Sequence, residues 1–152
     1  MSKANHVPTE ATMVRNAGGR VFDAIRTLAV LQTIGAPGTI VVMHHTGKSA
    51  RTNIPQNLSL TYSLDCGMTH FHDDQIKNAL GEIAPQEKER IETMTFGEIK
   101  NSIEDSVRSD VAMLKASPLI KNSTQIIGLA YDINTGILAE VTDATNEDKS
   151  SL

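Results

Sequence analysis

A chain of 152 residues and 16.4 kDa with a hydrophobic fraction of 39% has room for one domain with a real core and not for two. No apolar run approaches the ~18 residues of a membrane-spanning helix. The 14 basic residues, at a net charge of −4, are scattered, so no electrostatic footprint for nucleic acid or acidic lipid is present. The opening MSKANHVPTE has no apolar stretch of signal-peptide type, and Cys66 is the one cysteine. That excludes an intrachain disulfide and any zinc site needing two cysteines from this chain, and the expected setting is the cytoplasm.

In chain order, residues 1–10 read as a polar, disordered lead-in. Ala11 to Val14 reads as a short strand entering a loop at Asn16-Ala17-Gly18-Gly19. Val21, Phe22, Ile25, Leu28, Ala29, Leu31 and Gln32 recur at helical spacing, and Gly35 with Pro37 supplies helix-stop chemistry. TIVVMHH (39–45) is short, rich in β-branched residues and bounded by glycines, which predicts a buried strand. Strand, helix and strand make a βαβ unit, and hence a parallel, covered sheet.

Residues 47–64 break this order, with no period sustained over the block. An amphipathic piece follows around Ile76, Ala79 and Leu80, then a charged, loop-like stretch around Pro85 with a helical turn at 86–92. Phe96, Ile99, Ile103, Val107, Val111 and Leu114 predict a helix over 96–115. TQIIGLAYDINTGILAEV (124–141) predicts a strand extended into a hairpin through Asn134-Thr135-Gly136. The tail 143–152 reads as disordered.

Four features could carry chemistry. His44 and His45 end the second strand, where ligands gather in open parallel sheets. Adjacent strand residues face opposite ways, so at most one of them enters a given site, and solvent-facing residues are the simpler reading. Cys66 is most simply a small core residue; with His44, His45, His70 and His72 nearby in sequence it could serve zinc, at spacings too irregular to count as a ligand pattern. Thr46-Gly47-Lys48-Ser49 lacks the first glycine of a phosphate-binding loop, since Val42 stands there. Glu98, Glu104, Asp105 and Asp110 read as a solvated helix face.

Taken together, VRNAGG (14–19), the Asp23-x-x-Arg26-x-Leu28 pattern, IVVMHHT (40–46) and DCGM (65–68), in this order, resemble the β-class carbonic anhydrases. The likeness runs through EDSVRSDVAMLKASPLI and GLAYDINTGILAEV, and covers roughly 11–142 in the manner of the short, compact branch of that family. It implies an α/β fold with a parallel sheet flanked by helices and a C-terminal strand or hairpin. It implies a zinc enzyme that interconverts carbon dioxide and bicarbonate, working as a homodimer or larger oligomer. Residue by residue, His45 and Cys66 match metal ligands. Asn16, Ala17 and Gly18 match residues near the substrate pocket and subunit interface, and Gly67 places a backbone N–H near the bound anion. A carbon disulfide or carbonyl sulfide hydrolase on the same scaffold, or a non-catalytic oligomeric protein, are the alternatives.

The sequence departs from the family pattern twice. Nothing before Ala11 corresponds to the first strand, with its C-x-D-[SA]-R motif that supplies a zinc cysteine and an Asp-Arg pair. The chain is therefore expected to be N-terminally truncated relative to the family, with the first strand missing and no catalytic Asp-Arg pair. Residues 47–64 separate His45-Thr46 from Asp65-Cys66, which the family holds contiguous. This in-frame insertion is expected to be a retained intron, since Gly47-Lys48-Ser49 can encode a 5′ splice sequence, or else a loop that folds back so that His45 and Cys66 meet.

Overall fold

The computed structural model describes residues 11–35, 37–46 and 67–142. The expectations for 1–10, 47–64 and 143–152 lie outside them. Among the described residues, three strands form one sheet in the order β1 (Thr39–Thr46), β2 (Gln125–Asp132), β3 (Leu138–Glu140). β1 and β2 run parallel, in register from Thr39 opposite Gln125 to Thr46 opposite Asp132. β3 returns antiparallel, with Tyr131 opposite Leu138. The sheet is therefore mixed, the α/β class expected from the sequence, with the antiparallel member coming from the predicted hairpin. Asp132 builds that hairpin's turn, its carboxylate accepting from Asn134 N–H at 2.8 Å.

The helices are α1 (Val21–Ile34), α2 (Asp73–Ile83), α3 (Lys88–Thr93) and α4 (Ile103–Ala116). α1 closes as its sequence predicts, the Gly35 N–H bonding the Leu31 carbonyl at 2.9 Å. α4 packs across β1 and β2, and Ile103, Val107, Val111 and Leu114 meet Ile40, Val42 and Ala130 of the sheet and Val21 of α1 in one core. Among the described residues, no helix is long and apolar enough to cross a membrane.

Two expected elements differ. Residues 11–16 are not a strand: they form no ladder with a described neighbour, and Ala11 to Arg15 are exposed. A strand needs a partner for its backbone groups, which periodicity alone does not supply. The helix placed over 96–115 starts instead at Ile103, where the Ser102 hydroxyl caps it by accepting from Asp105 N–H at 3.0 Å. Gly97 lies at φ 83°, outside helical space. The Asp73 carboxylate holds the backbone beside it through Phe96 N–H and Glu98 N–H, both at 3.1 Å. The apolar spacing continued across a bend because Ile99 enters the same core from a loop.

Leu114 is 1% exposed at the centre of this packing. Leu114→Ala is expected to lower the unfolding free energy by about 2–5 kcal/mol, measured by urea denaturation.

Candidate functional site at the carboxyl end of β1

Three segments meet at the end of β1. A short 3₁₀ turn at Ala17–Gly19 packs against β1, and a second, at Gly67–Thr69, packs against the first. The turns follow from glycine: Gly19 has φ 70°, and a Cβ there would lie 2.8 Å from His44 Cδ2. No side chain fits between the turn and the strand. The Asn16 side-chain amide ties off the turn by donating to the Arg20 carbonyl at 2.7 Å, and the Gly19 N–H returns to the Asn16 carbonyl at 3.2 Å. Asn16, Ala17, Gly18 and Gly67 thus belong to one surface. Cys66 lies outside the described residues.

Beneath that surface is a buried charge cluster centred on Asp110 of α4, which is fully buried. Its carboxylate accepts from Arg20 Nη2 at 3.0 Å and from the Val21 N–H at 3.0 Å, and lies 3.3 Å from His44 Nε2. Arg20 also donates to the Gly97 carbonyl at 3.3 Å. His44 Nε2 is 3.1 Å from the Gly19 carbonyl as well. Facing two acceptors, that nitrogen carries the proton. Asp110 therefore fastens α4 to the first turn of α1, to the glycine turn and to the end of β1. Burial pushes its carboxyl pKa up, but the hydrogen bonds from His44 and Val21 and the Arg20 charge outweigh this and hold it below the ordinary aspartate value.

Asp110 and His44 correct the sequence reading. His44 is not a solvent-facing strand end but 3% exposed, because its side of β1 faces α4. Asp110 is not on a solvated face. It sits three residues after Val107 and four before Leu114, on the apolar stripe itself, and that spacing was the available signal. Glu98 is not simply solvated either: it bonds His72 Nδ1 at the start of α2, and that hydrogen bond, opposed by partial desolvation, lowers its pKa.

His45 projects from the other side of β1. It is half-buried, and its Nδ1 is buried without a hydrogen-bond partner, a nitrogen suited to a metal ion. The rest of a zinc donor set is not assembled around it. Among the described residues, no three His, Cys, Asp or Glu side chains come together to hold a metal. Asp110 and the Nε2 of His44 are committed to each other and to their neighbours, while His44 Nδ1, like that of His45, is buried without a partner. Adding Cys66 makes two donors, whereas open catalytic zinc sites use three protein ligands. The described residues therefore do not by themselves make a complete zinc centre.

The geometry is that of a strand-end site in an open α/β sheet, and comparison with known proteins gives it a family. No family model matches the chain. Over 134 residues it is 31% identical to Beta-carbonic anhydrase 1 of Mycobacterium tuberculosis and of Mycobacterium bovis, covering 88% of this chain and 68% of the relative. The chain belongs to the β-carbonic anhydrase family. A solved carbonic anhydrase from Glaciozyma antarctica superposes with a TM-score of 0.68 at 31% identity, covering 85% of this chain and 66% of that one, so the chain spans just under two thirds of that solved relative. The apo form of a carbon disulfide hydrolase shares the fold, with a TM-score of 0.62 at 24% identity, covering 96% of this chain and 73% of that one. In this β-carbonic anhydrase chain, the Asn-Ala-Gly-Gly turn and the double histidine are held together by Asp110.

Two substitutions probe the cluster. Asp110→Ala strands Arg20 in the interior without its counter-charge and is expected to cost about 3–5 kcal/mol of stability at neutral pH. Because the folded-state pKa of Asp110 is depressed, its ionic contribution is complete above the ordinary value of 3.8 and is lost as pH falls through the lower folded value. The stability gap between wild type and variant should therefore narrow on acidification below that value, measured by urea denaturation at a series of pH values. Gly19→Ala, which forces a methyl against His44, is expected to cost about 1–3 kcal/mol, read as a lowered Tm.

Proposed function

We propose that this chain is built on the scaffold of a zinc-dependent carbonate dehydratase, with carbon dioxide and bicarbonate as the substrate pair. In this reading His45 and Cys66 are two of the metal donors. Asn16, Ala17 and Gly18 border the substrate pocket, and Gly67 offers a backbone N–H to the anion. The observation that carries the reading is His45: a buried, unpartnered imidazole nitrogen at the carboxyl end of β1, in a chain 31% identical to a β-carbonic anhydrase. When bound in a full donor set, zinc supplies an acidified water at neutral pH. What these residues do by themselves is positional: the glycine turn and Asp110 hold the end of β1 against α1, so that His45 stands at a fixed strand-end position.

Two donors bind zinc less well than three, so the 152-residue polypeptide is expected to carry zinc below one equivalent and to hydrate carbon dioxide poorly. Cytoplasmic residence and homo-oligomeric assembly belong to the same reading and rest on family membership. The donor count also favours a second reading, a non-catalytic family member that acts through its oligomer surface.

Elemental analysis of the purified chain, with stopped-flow carbon dioxide hydration and light scattering, tests these together. Substoichiometric zinc and hydration close to the buffer rate are expected, and His45→Ala should lower the residual zinc further. One tightly held zinc per chain with rapid hydration overturns the expected impairment. A defined oligomer with neither zinc nor turnover selects the non-catalytic reading.

A further inference from the structure

A cavity of about 180 Å³ lies at the start of α4, walled by Arg20, Lys100, Ser102 and Ser106 together with Glu98 and Asp105. None of Asn16, Ala17, Gly18, His45 or Gly67 lines it, so it is distinct from the strand-end surface. Two hydrogen-bond donors belonging to its walls are buried without a partner: Arg20 Nε and the Ser106 hydroxyl.

Each is left over for a reason. The Arg20 guanidinium gives Nη2 to Asp110 and Nη1 to the Gly97 carbonyl, and its Nε–H meets no acceptor. Ser106 stands one helical turn before Asp110, on the same side of α4, and is 7% exposed. A serine inside a helix commonly turns its hydroxyl back onto the carbonyl four residues earlier. Here the Ser102 carbonyl takes the Ser106 N–H at 3.1 Å, and the hydroxyl stays unbonded. Leaving a buried donor unmade is costly. Two of them at one polar cavity point to an acceptor that fills it.

The start of α4 narrows the chemistry of that acceptor. The Ser102 hydroxyl satisfies the Asp105 N–H, and the N–H groups ahead of it, of Ile103 and Glu104, are those a helix start leaves free. The helix dipole favours negative charge there, and the exposed Lys100 adds a cation. Against these stand two carboxylates, Glu98 paired with His72 and Asp105 paired with Arg108. Such carboxylates repel a fully deprotonated anion but accept a hydrogen bond from one that keeps a proton.

We propose that this cavity binds a small protonated oxyanion of the hydrogen phosphate type, through Arg20 Nε, the Ser106 hydroxyl and the first N–H groups of α4. Bound there, the anion ties the start of α4 to Arg20 and so reinforces the charge cluster around Asp110.

Inorganic phosphate is the probe, titrated calorimetrically into the full 152-residue chain at neutral pH and constant ionic strength. One saturable site per chain is expected, with amide NMR shifts moving over 100–106. Sulfate, which keeps no proton at neutral pH, should bind at least about tenfold more weakly. Ser106→Ala removes a ligand donor and an unsatisfied buried hydroxyl together. It should weaken phosphate binding by about tenfold or more, while its phosphate-free Tm equals or exceeds that of the wild type. Lys100→Ala, an exposed change, should weaken binding as well, most at low salt. Absence of saturable phosphate binding, or an unchanged affinity in Ser106→Ala, overturns the proposal. Equal affinities for sulfate and phosphate overturn the assignment to a protonated anion.

Discussion

The structure depends on one buried carboxylate. Asp110 sits on the apolar stripe of α4 and takes hydrogen bonds from a guanidinium and from the first backbone amide of α1, with a strand histidine beside it. A lone ion there would be prohibitively costly; paired with Arg20 and fully hydrogen-bonded, it becomes a joint between elements far apart in sequence. The glycine turn, the entry to α1 and the end of β1 are all placed by this joint, and the candidate site is built on those three.

Position also explains why two adjacent histidines have different fates. His44 turns toward α4 and meets the joint through Nε2. His45, one residue on, turns to the opposite face, and in both rings Nδ1 is buried without a partner. The alternation of a strand sends the two imidazoles to different sides, one against Asp110 and one away from it. The proposed role of His45 as a metal donor rests on that placement, and among the described residues no three donors come together around it.

Much of this was legible in the residues. The β-branched run 39–45, the helical spacing of 21–32 with its Gly35 stop, and the hairpin around Asn134-Thr135-Gly136 each carry their own local cause, so they were readable from sequence alone. The order RNAGG, HHT and DCGM likewise pointed to the family before any fold was seen. Decisions that need a partner were not readable. Residues 11–14 have strand-like composition but no described neighbour to pair with, and the apolar rhythm of 96–115 runs through a bend that Ser102, Asp73 and Gly97 impose. Asp110 looked like a solvated carboxylate until α1 and β1 were packed against it. Local periodicity and turn chemistry determined the elements and the family. Burial, ladder pairing and the meeting of charges ninety residues apart exist only once the chain is folded, and they decided which carboxylate is structural and which histidine packs against it.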